Sequence, residues 1–196
     1  MDKNDFLKRV REASKNRKVV ETPKLDCGVV SAMLEGGAKD AFVKNFTSNH
    51  GIVVEDFDAL VRVLKDNGCK IGVVDAKMDS TLGLEKHFEI TREFDRNIPD
   101  AYHFGVSIAS KAIGESGSMI LKDKDTDDRL TTVAPWVHVA VLKESDIVST
   151  LSDGLDGIID NAYSIFVGAP SKTSDIEGVL VEGVHGPGVE ICYIVK

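Results

Sequence analysis

The sequence predicts an α/β fold of three layers, with helices on both faces of a mostly parallel or mixed sheet. Three observations carry that reading. Short apolar runs alternate with stretches of helical periodicity along most of the chain. One strand–helix–strand unit is explicit between "GIVVE" at 51–55 and "CKIGVVD" at 69–75, the connection that parallel strands require. The length of 196 residues, 42% hydrophobic and 29% charged, suits one soluble domain with a substantial core, taken as residues 1–196.

The elements follow in order. Residues 4–14 place Phe6, Leu7, Val10 and Ala13 on one helix face, and residues 1–20 read as a basic N-terminal helix. Residues 1–18 hold seven Lys or Arg against three Asp or Glu, a solvated helix face on a chain whose net charge is −8. A polar connector with Pro23 leads to a helix around 38–46 and the strand at 51–55. Asp56 can cap the next helix, whose Phe57, Leu60, Val61 and Leu64 share a face, and Gly68 suits its end. Beyond the strand at 69–75, the runs "FGVSIAS", "SMILK", "VHVAVLK", "SIFVG" and "VEICYIV" read as strands, and their close spacing between 104 and 121 predicts a mixed sheet. A helix is expected over 146–159, weakened by Gly154 and Gly157, which cost about 1 kcal/mol each relative to Ala.

Composition excludes several classes. The acidic balance argues against a broad nucleic-acid surface, and no apolar stretch approaches the roughly 20 residues that span a bilayer. The N-terminus lacks the apolar segment of a signal peptide, so the protein is expected in the cytoplasm. Cys27, Cys69 and Cys192 are far apart, without CxxC spacing, and read as buried inert thiols. No metal or cofactor is expected in this chain.

The nucleotide, calcium and hydrolase motifs are each incomplete. A P-loop aligned on Lys172–Thr173 needs glycine at 166 and 171, where the chain has Phe166 and Ser171. "DKDTDD" at 123–128 begins like a calcium loop but has Asp128 where glycine is required, and reads as an acidic turn. "GESGS" at 114–118 misses the last glycine of the nucleophile elbow.

What survives lies in "GAPSKTSDIEGVLVEGVHGP", residues 168–187. Ser174-x-x-Glu177 has capping-box spacing, so the segment reads as a short helix ending at Gly183. Ser171, Lys172 and Thr173 then stand just outside a helix N-terminus, where free amides attract anions. Asp175 and Glu177 offset that positive end by about 0.3–1 kcal/mol each, which favours a small carboxylate over a polyphosphate. His185 sits in a Gly/Pro turn, His138 at the start of a strand after Pro135, and Glu115 in a turn after a strand. His185 is either a solvated turn residue or, like His138, a group that can move a proton near neutral pH, and Glu115 is either a base or nucleophile or a solvated turn residue.

Together "AIGESGSMIL", "DRLTTVAPWVHVAVL" and "GAPSKTSDIEGVLVEGVHGP" resemble the lactate-utilisation (LUD) domain family, LutC/YkgG branch, over about residues 104–196. The resemblance implies a fold like that of glucosamine-phosphate deaminase, ribose-phosphate isomerase and CoA transferases. It implies the cluster-free subunit of an L-lactate-to-pyruvate oxidising system, with two partner proteins that carry iron–sulfur clusters. The motif positions it marks are Glu115, Ser116, Arg129, Pro135, His138, Ser171, Lys172, Thr173, Asp175, Glu177 and His185. Lys172, Arg129 and the helix amides would hold the carboxylate of a small 2-hydroxy or 2-oxo acid, and His138 or His185 would handle the hydroxyl proton. The chain departs from the family pattern at Trp136 beside the proline and at Gly114. The alternatives are a non-catalytic scaffold for iron–sulfur partners and a stand-alone enzyme using Glu115. A homo-oligomer is compatible with either.

Overall fold

The computed structural model describes residues 2–15, 36–156, 163–174 and 180–196. The chain divides into two compact units, Met1–Val30 and Ser31–Lys196. In the first, α1 (Lys3–Lys15) covers the helix expected over 4–14, and residues 16–20 of the expected basic N-terminal helix lie outside the described residues.

The second unit is built on a six-stranded sheet with the order β1-β12-β7-β4-β2-β3, every pair parallel. Its members are β1 (Ile52–Val54), β2 (Ile71–Val74), β3 (Glu89–Thr91), β4 (Phe104–Ala109), β7 (Val137–Lys143) and β12 (Val189–Val195). A second sheet of four strands, ordered β8-β5-β6-β9, is formed by β5 (Lys111–Ile113), β6 (Ser118–Lys122), β8 (Ile147–Val148) and β9 (Ser164–Val167). β10 (Lys172–Ser174) and β11 (Leu180–Glu182) make an antiparallel pair of their own. The expected mixing of directions is confined to the second sheet, because the chain leaves β4 and enters β5 within one residue, Ser110, and so changes sheet instead of pairing with β4.

The central strands are apolar on both faces, as buried parallel strands must be. α3 (Phe57–Asp66) covers one face with Leu60, Val61 and Leu64, which pack on Val74, Phe104, Val106, Val139 and Ile191. It starts where the sequence places it. The Asp56 side chain accepts a hydrogen bond from the Ala59 amide at 2.8 Å. α2 (Gly37–Ser48) and the second sheet cover the other face, where Phe42 and Phe46 are fully buried with stacked rings 5.4 Å apart. The layers are therefore helix, parallel sheet, and a composite of helix and small sheet.

One expected helix is shorter than its periodicity suggests. In place of a helix from 146, Glu144–Asp146 is a single 3-10 turn, β8 follows, and α5 runs only from Leu151 to Leu155. The β-branched pair Ile147–Val148 is drawn into register with Ala112 and Ile113, so the cap falls on Thr150, whose side chain and Asp153 form the capping box. Residues 157–159 of that expectation lie outside the described residues.

The acidic turn at 123–128 is pinned from within. The Lys77 ammonium donates to the Asp123 carbonyl at 2.8 Å and the Thr126 carbonyl at 3.1 Å. The buried Asp75 carboxylate accepts the amides of Lys77 and Asp127 at 2.9 Å each. Burial raises the Asp75 pKa above the usual range, and the amides of Lys77 and Asp127 oppose that shift. No helix among the described residues is long and apolar enough to cross a membrane.

Candidate functional site

Three adjacent parallel strands carry the polar groups of the site. Gly105 of β4, His138 of β7 and Glu190 of β12 stand side by side in register. His138 and Glu190 share strand parity with Ala140, Leu142, Cys192 and Ile194, so they face the second sheet. Gly105 is required by close approach. A Cβ there would lie 1.8 Å from the Thr131 carbonyl oxygen of α4 (Leu130–Val133). That approach brings Thr132 above the same row.

The result is a buried polar chain. His138 Nδ1 and Glu190 Oε1 are 2.6 Å apart, His138 Nε2 and Ser107 Oγ 2.8 Å, and the Thr132 hydroxyl donates to Ser107 Oγ at 3.5 Å. Ser107 and His138 are 0% exposed and Glu190 is 1% exposed. With Glu190 ionised, Nδ1 carries a proton toward it and Ser107 donates to Nε2; with an imidazolium both ring nitrogens donate. Burial holds the Glu190 carboxyl above the usual carboxylate range, and the charge and hydrogen bond of His138 oppose that shift. Ser107 resembles the nucleophile of a hydrolytic triad in composition only, since its complete burial denies a substrate access.

Glu190 is also the floor of a cavity of about 170 Å³ at the amino ends of β7 and β12, lined further by Thr132, Ile165, Phe166, Ser171 and His185. His185 and Ser171 thus reach the same strand ends as His138. The seat for this arrangement is Trp136. Gly183, with φ at +78°, and Gly188 lie against its indole so closely that a Cβ on either would come within 2.3 Å of the ring. Gly188 and Val189 donate their amides to the Trp136 carbonyl at 2.9 and 3.1 Å, and the Ser171 amide donates to the Pro187 carbonyl at 2.8 Å. The tryptophan that departs from the family pattern holds the histidine turn in place.

Where it is described, the segment after Ser171 is strand and not the expected helix. Lys172, Thr173 and Ser174 pair with Glu182, Val181 and Leu180 as β10 and β11, and the Gly183 amide closes the ladder on the Ser171 carbonyl at 2.8 Å. Ser174, expected as the helix cap, is a strand residue. Asp175 and Glu177 lie outside the described residues. Lys172 is spent locally, donating to the Asn49 carbonyl at 2.7 Å and lying 3.4 Å from Glu182, which also holds His50 at 2.8 Å. Arg129 stacks on the Tyr163 ring at 4.3 Å. Glu115 sits in the turn between β5 and β6 and accepts the Leu151 amide at 2.5 Å, capping α5. Lys172, Arg129 and Glu115 therefore do not line the cavity that Ser171 and His185 share.

Sequence reasoning missed Glu190, Ser107 and Thr132. Glu190 was visible as a carboxylate at the head of the apolar strand "VEICYIV", and a charged residue in a strand buried on both faces needs a partner. Among the described residues, no group of three or more His, Cys, Asp or Glu side chains is arranged to hold a metal ion.

A family model described as the LUD domain matches residues 76–195. The chain is 39% identical over 103 residues to a protein of Deinococcus radiodurans named lactate utilization protein C, covering 48% of this chain and 45% of that one. Proteins of the same name from Oceanobacillus iheyensis and Bacillus subtilis are each 31% identical, over 99 and 98 residues, covering 46% of this chain and 42% and 40% of theirs. The chain spans less than half the length of these curated relatives. Among solved structures, a DUF162 family protein from Deinococcus radiodurans superposes with a TM-score of 0.62 at 17% identity, covering 81% of this chain and 96% of that one, a likeness of fold.

Proposed function

The chain belongs to the LUD domain family, and from that premise we propose that it serves lactate utilisation by binding a small 2-hydroxy or 2-oxo acid in the cavity at the amino ends of β7 and β12. The observation that carries this reading is the convergence of Ser171 and His185 on Glu190, which His138 and Ser107 back from the sheet. The cavity suits a molecule of a few heavy atoms. Ser171 and His185 supply donors for a carboxylate, and Glu190 supplies an acceptor for a hydroxyl proton. Oxidation of such a hydroxyl to a carbonyl releases two electrons and two protons. In this reading Glu190 takes the hydroxyl proton and His138 stabilises or relays it. The C–H hydrogen leaves with the electron pair as hydride to a hydride acceptor outside this chain, from which the electrons reach the iron–sulfur partner proteins that the family resemblance implies.

Calorimetry with L-lactate and with pyruvate tests the binding step. Wild-type protein is expected to bind at least one of them, and His185→Ala is expected to weaken it by about tenfold or more, the loss of one charge-assisted hydrogen bond. Absence of binding to the wild-type protein sinks the reading.

A second reading is supported by a different observation. Val133, Trp136, Phe166, Leu180 and Val184, all more than a third exposed, surround this cavity or the hairpin beside it. Such a set is more apolar than a solvated rim requires and fits a partner-docking face, here that of an iron–sulfur protein. Co-purification of an iron-containing partner that Phe166→Asp abolishes would support docking. Retention of the partner by that variant would exclude this face.

A further inference from the structure

We propose that the carboxyl ends of the central strands hold a second binding site, for an organic monoanion with an apolar body. The site is independent of the small-acid reading above. Ligands of open parallel sheets bind beyond the carboxyl ends of the strands, where successive connections diverge. That point here lies between β2 and β4, because the chain passes from β2 outward to β3 and returns to the other side of β2 as β4. A cavity of about 490 Å³ opens beside it, bounded by the loop after β2, the last residues of β4, β7 and β12, and the end of β6.

Its floor is apolar: Met78, Leu82, Ile108, Val141 and Val195. Its charged groups are Lys122, Lys124 and Lys143 against Asp79, Asp125 and Asp146. Lys122 sets the chemistry. It ends β6, is only 6% exposed, and lines the cavity. Among the described residues its ammonium makes no hydrogen bond and no ion pair. Asp125 is engaged by the Ser110 hydroxyl at 2.6 Å. The Lys122 stem is buried while its ammonium is not among the buried unpartnered atoms, so the charge stands at the cavity surface, free to pair with a ligand carboxylate. Three aspartates around the same space disfavour a dianion or polyphosphate, and the apolar floor favours a ligand with a hydrocarbon body over an inorganic ion.

Amide chemical-shift mapping of the ¹⁵N-labelled full chain, titrated with hexanoate and separately with inorganic phosphate, tests the proposal. Hexanoate is expected to shift the amides of Ile108, Ser110, Lys122 and Lys143 saturably, and phosphate is expected not to. Lys122→Met should raise the hexanoate Kd about tenfold, the loss of one charge-assisted contact, while Lys122→Arg retains binding. The wild-type map stands without any variant: hexanoate that fails to shift those amides overturns the site, as does phosphate that shifts them equally. L-lactate bound at the amino-end cavity would instead mark Ser171, His185 and Glu190, so the two readings fail separately.

Discussion

Glu190 shows what a single buried carboxylate imposes on a fold. It is removed from water, faces one imidazole, and forms the floor of the smaller cavity. Its folded pKa is raised, so the native state holds a proton that the unfolded chain releases earlier. This contribution is present below the ordinary glutamate range and is lost as pH rises through the folded value. Urea unfolding across a pH series should therefore show wild-type stability falling relative to Glu190→Gln as pH increases from that range. A flat difference would mean that the pair with His138 cancels the burial effect. Two thiols permit a second prediction. Burial pushes the Cys69 thiol up to about 11 and raises that of Cys192 further. Neither should react with iodoacetamide in the native protein at pH 8, and both should react in urea, as peptide mass mapping would reveal.

Among the elements, those with a complete local code were legible. α3 has a cap, a face of Leu60, Val61 and Leu64, and a glycine beyond its end, and the structure agrees with the sequence at each point. Asp56→Ala should lower stability by about 1 kcal/mol in urea unfolding without altering the native amide spectrum elsewhere. β10 and β11 show the opposite case. Capping-box spacing at Ser174 is a local preference, whereas Gly183 is held against Trp136 and bonded to Ser171, and those contacts bring Leu180–Glu182 beside Lys172–Ser174. The pairing partner of a strand is not encoded within the strand. For the same reason His138 was identifiable as a titratable group at a strand end, but Glu190, Ser107 and Thr132 were not identifiable as its neighbours. Their meeting depends on the order of β4, β7 and β12 in the sheet.

For the molecule as a whole, the second unit encloses two cores, one on each face of a single parallel sheet. Phe46 is central to the core beneath α2, and Phe46→Ala should cost about 3–5 kcal/mol, measured as a lowered urea midpoint with an unchanged slope. Loss of a single cooperative transition in that variant would indicate that the two faces unfold separately. The two cavities lie at opposite ends of the strands. A ligand at one therefore need not displace any residue lining the other.

Trp136 is the chain's one tryptophan. It lies half-exposed under Gly183 and Gly188, the glycines that flank the His185 turn. The protein consequently carries a native optical reporter at one end of the sheet and none at the other. Occupancy of the amino-end cavity should change the emission of this indole, while hexanoate beyond the carboxyl ends should leave it dark to the titration. A cuvette experiment without labels can assign an unknown ligand to its end of the molecule.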